Sequence, residues 1–164
     1  MSIAHAMLGE FEQESKITRK FLERIPQNKL EWKPHEKSHT AGELAMHIAI
    51  VPEWVVRMAL ENESRLPICD ELFQQPATVQ DILSRHEKNN ETVRRILPTL
   101  DDDRLMTNWT AMRDGTPVAT MPKVMVLRSI MLNHWIQHRG QLGVYLRLVG
   151  AKVPSSYGPS GDEG

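Results

Sequence analysis

The chain has 164 residues, 20 Lys+Arg against 21 Asp+Glu and 40% hydrophobic residues, enough for one globular domain and short for two. A formal charge of −1 with no basic block lacks the electrostatic footprint of a nucleic-acid binder, so neither DNA nor RNA is expected as a partner. The single cysteine, Cys69, cannot pair within the chain, no stretch approaches the ~18 apolar residues of a membrane span, and Glu10 and Glu12 interrupt the segment where a signal peptide needs its apolar core; a cytoplasmic protein with no membrane partner is the expectation.

In chain order, Met7, Phe11, Thr18, Leu22 and Ile25 fall on one stripe of a first helix that Pro26 ends. Residues 27–39 are polar and contain Pro34, which predicts a loop anchored by Trp32. Thr40-Ala41-Gly42-Glu43 has the capping-box pattern and opens a second helix with Leu44, Ile48, Val51, Val55 and Met58 at helical spacing. Pro52 lacks the amide that would bond the Ile48 carbonyl, so a kink is expected there. A loop from Pro67 to Pro76 leads to a third helix marked by Val79, Ile82, Leu83, Val93, Ile96 and Leu97, which stops at Pro98. Asp101 to Asp103 reads as a solvated turn. Between Thr107 and Thr120 a small β-hairpin is predicted about Asp114-Gly115, with Pro117 confining its strand to an edge. A fourth helix starts near Pro122 and follows Leu127, Ile130, Met131, Leu142, Tyr145, Leu148 and Val149 up to Gly150, with Met121, Met125 and Met131 read as core filler. The expected architecture is all-α: an antiparallel four-helix bundle over residues 1–150, a hairpin insert between the third and fourth helices, and an extended tail over residues 151–164.

Four of the seven histidines, His47, His86, His134 and His138, occupy positions where the helical pattern calls for an apolar residue. A buried imidazole without a partner costs on the order of 1 to 3 kcal/mol, so a stripe carrying two of them calls for a shared purpose. His134 and His138 are four apart and stack on one helical face between Met131 and Leu142, which is how a helix offers two nitrogens to one ion. His47, between Leu44 and Val51 on the inward face of the second helix, is the third candidate ligand. Three neutral imidazoles leave an open position on Zn²⁺, Ni²⁺ or Fe²⁺ for water or substrate. HxxxH by itself recurs by chance, and it lacks the glutamate of the HExxH proteases because position 135 is tryptophan.

The remaining polar candidates divide between ordinary and supporting roles. His86 has Asn90 rather than a second ligand at i+4 and reads as a core group bonded to a neighbour, whereas His5, His35 and His39 lie in polar or terminal context and read as solvated. Glu43, four residues before His47, is a candidate acceptor for its free ring N–H, although the capping box claims the same carboxylate. Gln141, three beyond His138, faces the same region and is a candidate to hold a substrate or a bound water. Cys69 precedes Asp70 and Glu71, whose charge raises a thiol pKa and makes it a poor nucleophile.

These residues carry a resemblance. Trp32-Lys33-Pro34 with Ser38, the run Ala41-Gly42-Glu43-Leu44-Ala45-Met46-His47-Ile48-Ala49, the run Asn133-His134-Trp135-Ile136-Gln137-His138-Arg139-Gly140-Gln141-Leu142, and the tail Val153-Pro154 with Tyr157-Gly158-Pro159-Ser160 resemble, in order, the DinB family of DNA-damage-inducible, YfiT-like metalloenzymes. The resemblance implies a four-helix bundle, a homodimer, and metal-binding roles for His47, His134 and His138, with nickel or zinc as the ion and iron or manganese as further options. It also implies a small-molecule substrate. Some relatives are transferases or isomerases that use low-molecular-weight thiols such as bacillithiol or mycothiol, and others have been proposed to be hydrolases. The expected function is accordingly a metal-dependent thiol S-transferase or hydrolase; the alternative is a non-catalytic, dimerising module with a structural or sensory metal.

Overall fold

A computed structural model describes residues 2–66 and 72–164 of the chain. Helix α1 (Ile3–Glu23) is capped by Ser2, whose hydroxyl accepts from the His5 amide, and it buries Met7, Phe11, Thr18 and Leu22 as the stripe predicts. A short 3-10 turn follows Pro26, and Trp32 in the loop beyond it packs edge-on against Tyr145 with ring centroids 5.6 Å apart. Helix α2 (Ala41–Met58) starts at the predicted capping box: the Glu43 amide donates to Thr40 Oγ1 at 3.0 Å and the Thr40 amide to Glu43 Oε2 at 2.8 Å. Helix α3 (Val79–Ile96) begins with a second box, Thr78 and Asp81. The predicted loop from Pro67 to Pro76, and Cys69 with it, lies outside the described residues as far as Glu71.

Helices α1 and α2 both pack against α3 and against the final helix, which closes the bundle around one core. The final helix is continuous but not uniform: α5 (Lys123–Val126) passes into a π-helical stretch (Leu127–His134) and then into α6 (Trp135–Leu148). The wide π turns place Leu127 and Leu132, five apart, together in the core. Two expected core residues are outside it. Met125 is 47% exposed and Leu148 59% exposed; α6 buries Trp135, Arg139, Leu142 and Leu146, and Leu148 lies about 200° around the helix from Leu146.

Three further differences have local causes. Asp101 does not sit in a plain turn but caps α4 (Asp102–Met106), accepting from the Arg104 amide at 2.7 Å. The hairpin, β2 (Asn108–Arg113) and β3 (Thr116–Pro122), turns at Asp114 and Gly115, with φ of 50° and 75°, and gains a strand that periodicity did not show: β1 (Glu63–Arg65), three residues long, pairs in parallel with β2. The tail is closed on itself instead of extended, because Val153 donates to Asp162 Oδ2 and Ser155 to Glu163 Oε2, while Ser160 Oγ donates to the Val153 carbonyl. Among the described residues no helix is long and apolar enough to cross a membrane.

Candidate metal centre

Helix α2 carries His47 inward, and the final helix carries His134 at the end of its π stretch and His138 one turn later. The three rings meet edge to face, with centroids 4.4 Å apart for His134 and His138, 4.7 Å for His47 and His138, and 5.3 Å for His47 and His134. One ring nitrogen from each lies within 4.8 Å of the others, and this is the group among the described residues whose ligand-type atoms converge as a metal ion would require. His47 is 2% exposed, whereas His134 and His138 are half-buried and open the site toward solvent on their side.

Hydrogen bonds set which nitrogen faces inward. His47 Nδ1 donates to the Leu72 carbonyl at 3.2 Å, and His138 Nδ1 donates to Gln141 Oε1 at 3.0 Å. A neutral imidazole carries one proton, so Nε2 of both rings is a bare lone pair. His47 Nε2 is buried and has no hydrogen-bond partner, and His138 Nε2 lies 2.9 Å from His134 Nε2. His134 Nδ1 is near the Ile130 carbonyl but outside good hydrogen-bond geometry. Burial, and then repulsion from His138 and His134, holds the His47 pKa at about 3, and burial likewise lowers His134 and His138, so the set is neutral and ready to ligate at pH 7. An unpaired lone pair in the protein interior is unfavourable by itself, and a divalent cation is the partner that three converging imidazole nitrogens suit.

Of the supporting candidates, Gln141 faces the same region as expected, but its Oε1 accepts from His138 Nδ1, a contact different from the expected hold on a substrate or bound water. Glu43 is not the acceptor for His47: the free N–H of His47 is met by Leu72, and the Glu43 carboxylate stays on the capping box, with one oxygen 3.6 Å from His39 Nδ1. His39, expected to be simply solvated, is half-exposed but stacks on Phe73 at 3.6 Å, and the other face of Phe73 stacks on His47 at 4.0 Å. Phe73 had no sequence signal, since it stands alone in an aperiodic segment. That segment lies tight against the start of α2, where a Cβ at Gly42 would come within 2.7 Å of Gln75 Nε2 and 3.0 Å of the Leu30 carbonyl. His86 behaves as the core reading predicts: it is buried and accepts from Asn90 Nδ2 at 3.0 Å, and the same amide group donates to Ser15 Oγ.

The fold and the site together define a four-helix bundle with a three-histidine group that could hold a metal ion. The sequence profile of the DinB family matches residues 1–164, and the chain belongs to that family. Three solved structures share the fold. A DinB-like protein from Bacillus cereus superposes with a TM-score of 0.75 at 24% identity, covering 95% of this chain and 98% of its own. A DinB-like protein from Bacillus subtilis gives 0.72 at 22% identity, with 93% and 96% covered, and a DinB-family candidate from Exiguobacterium sibiricum gives 0.63 at 16%, with 93% and 95% covered. No curated protein sequence matches the chain.

Proposed function

We propose that this DinB-family protein is a metal-dependent enzyme acting on a small molecule at His47, His134 and His138, as a thiol S-transferase or a hydrolase. The observation that carries the reading is His47 Nε2, a buried lone pair without a partner that converges with nitrogens of two half-buried histidines. Three protein ligands with an accessible side leave a coordination position for substrate, which is the arrangement of a reactive rather than a closed structural site. Nickel and zinc are the first candidates, and iron and manganese also fit imidazole ligation. When bound, such an ion supplies Lewis acidity that lowers the pKa of a coordinated water or thiol.

The chain's own residues then have definite tasks. Leu72 and Gln141 fix the ring orientations of His47 and His138, and burial keeps the rings deprotonated. A cavity of about 320 Å³ lies along α2 from His47, sharing Leu72 with it; Ile50, Trp54 and Leu72 give it an apolar wall, and Arg85 and the Glu53–Arg57 ion pair give it charged groups for a small substrate. The reading is tested by elemental analysis of protein purified without a His tag, with His47→Ala and His138→Ala variants, followed by a turnover screen of thiols against electrophiles and esters. About one divalent ion per chain, lost in both variants, and turnover with at least one substrate pair are expected. Absence of metal after reconstitution would overturn the metal centre; bound metal with no turnover would leave a binding module instead of an enzyme.

A further inference from the structure

We propose that the cavity between α2 and α3 is a binding site for a small monocarboxylic acid with an apolar, ring-sized body. Calling that acid a substrate rests on the metal-enzyme reading above, whereas its binding does not. The cavity is bounded by Ile50, Glu53, Trp54 and Arg57 from α2, by Arg85 and Asn89 from α3, and by Leu72 from the segment between the two helices. Ile50, Trp54 and Leu72 are each only partly buried, so apolar surface converges here without being covered by the bundle. The wall is fixed across the two helices, because Asn89, 2% exposed, donates from Nδ2 to the Ala49 carbonyl at 2.9 Å. Leu72 belongs to the histidine group as well, since its carbonyl accepts from His47 Nδ1.

Charge and size select the ligand. Arg57 donates from Nε and Nη2 to Glu53 Oε1 at 2.9 and 2.7 Å, so those two charges cancel at the cavity edge. Arg85 has no carboxylate within ion-pairing distance among the described residues, which leaves the lining with two cations against one anion. One uncompensated guanidinium beside apolar walls is matched by one carboxylate, whose two oxygens fit its planar fork. A phosphate monoester, with a charge of about −1.5 to −2 at neutral pH, would leave negative charge over. Ile50, Trp54 and Leu72 supply the apolar contact that holds the body of such an acid. At the ~30 Å³ that one water molecule occupies, a cavity of about 320 Å³ takes about ten non-hydrogen atoms, the size of phenylacetate.

The test titrates 4-fluorophenylacetate and its neutral analogue 2-(4-fluorophenyl)ethanol with the full chain, and follows the fluorine NMR line width after chelation and again with zinc added. The acid is expected to bind the chelated and the zinc-treated chain alike, and the alcohol about 10-fold more weakly. Arg85→Gln should weaken the acid by about 10-fold and leave the alcohol unchanged. Lys88→Gln, which removes a neighbouring charge from outside the cavity, should change neither. Arg85 and Lys88 are both exposed, so each variant should keep the wild-type melting temperature. Failure of the acid to bind, equal binding of acid and alcohol, or wild-type binding of the acid by Arg85→Gln would overturn the proposal. Binding that requires zinc would put the carboxylate on the ion, overturning the cavity assignment and leaving the metal reading intact. Acid binding by a chain that takes up no zinc would support the cavity while the metal reading fails.

Discussion

His138 shows how a single hydrogen bond can set the chemistry of a ring. Its Nδ1 proton is committed to Gln141 Oε1 at 3.0 Å, which leaves Nε2 bare and turned toward His134. Gln141→Leu should leave the fold intact and weaken divalent-ion affinity by about 10-fold, as loss of an orienting partner does, and competition against a chromogenic chelator would measure it. An unchanged affinity would mean that α6 alone orients the ring. Protons compete for the same atoms. Burial lowers His47 from 6.5 to about 3 and His86 to about 4, so between those values and 6.5 the unfolded chain binds more protons than the folded one. The stability these residues contribute as neutral groups is therefore complete above about pH 6.5 and lost as pH falls toward 4. The melting temperature of the metal-free protein should drop over that interval, and the drop should be shallower in His47→Gln; a pH-independent melting temperature would contradict the burial of these rings.

At the scale of elements, Pro52 explains how α2 and the final helix are held in register. The sequence predicts a kink there, and α2 is nevertheless continuous from Ala41 to Met58. The carbonyl that Pro52 leaves without its helical amide belongs to Ile48, and it accepts from Trp135 Nε1 at 2.8 Å; the adjoining Ala49 carbonyl accepts from Asn89 Nδ2 at 2.9 Å. Ile48 follows His47 and Trp135 follows His134, so the bond that satisfies the proline defect joins the two helices beside the three-histidine group. Trp135 is 1% exposed and also stacks on Phe11 at 5.4 Å. Trp135→Phe should cost about 1 to 3 kcal/mol and weaken metal binding, since it leaves the Ile48 carbonyl unpaired. In a Pro52→Ala background the restored amide can take that carbonyl, so the same substitution should cost less; denaturant melts of the four proteins measure the coupling, and simple additivity would sink the explanation.

Across the whole molecule, a buried ion pair and the tail brace the side of the bundle behind the histidines. Arg139, 2% exposed and next to His138 in sequence, pairs with Glu14 of α1 at 2.5 Å, and its guanidinium also donates to Thr18 Oγ1 and to Tyr157 Oη at 3.2 and 2.9 Å. Arg24–Glu163 and Arg147–Asp162, both at 2.7 Å, hold the rest of the tail against α1 and α6. Those two outer pairs are solvent-exposed and worth little individually, whereas Arg139 compensates a buried carboxylate. Arg139→Leu should therefore destabilise the protein by about 3 to 5 kcal/mol, and Glu14→Gln in the same chain should recover part of it by removing the stranded charge. Equal melting temperatures for the single and double variants would count against a buried pair.

Helix existence, the capping box at Thr40, the hairpin turn at Asp114-Gly115 and the inward placement of His47, His134 and His138 were legible in the sequence, because each depends on residues at most a few positions apart. Apolar period, side-chain caps and φ preference are local physics. The π stretch, the parallel strand β1, the closed tail and the exposure of Leu148 were not legible, since each is decided by partners distant in the chain. The same holds around the site. No spacing rule joins Trp135 to the Ile48 carbonyl, Leu72 to His47, or Phe73 to both His39 and His47; those pairings exist only after the helices pack, when every buried donor and acceptor must find a partner within reach. The sequence by itself determined which helical faces carry the nitrogens, and the tertiary structure decided which atom of each ring is bare and which neighbours keep it so.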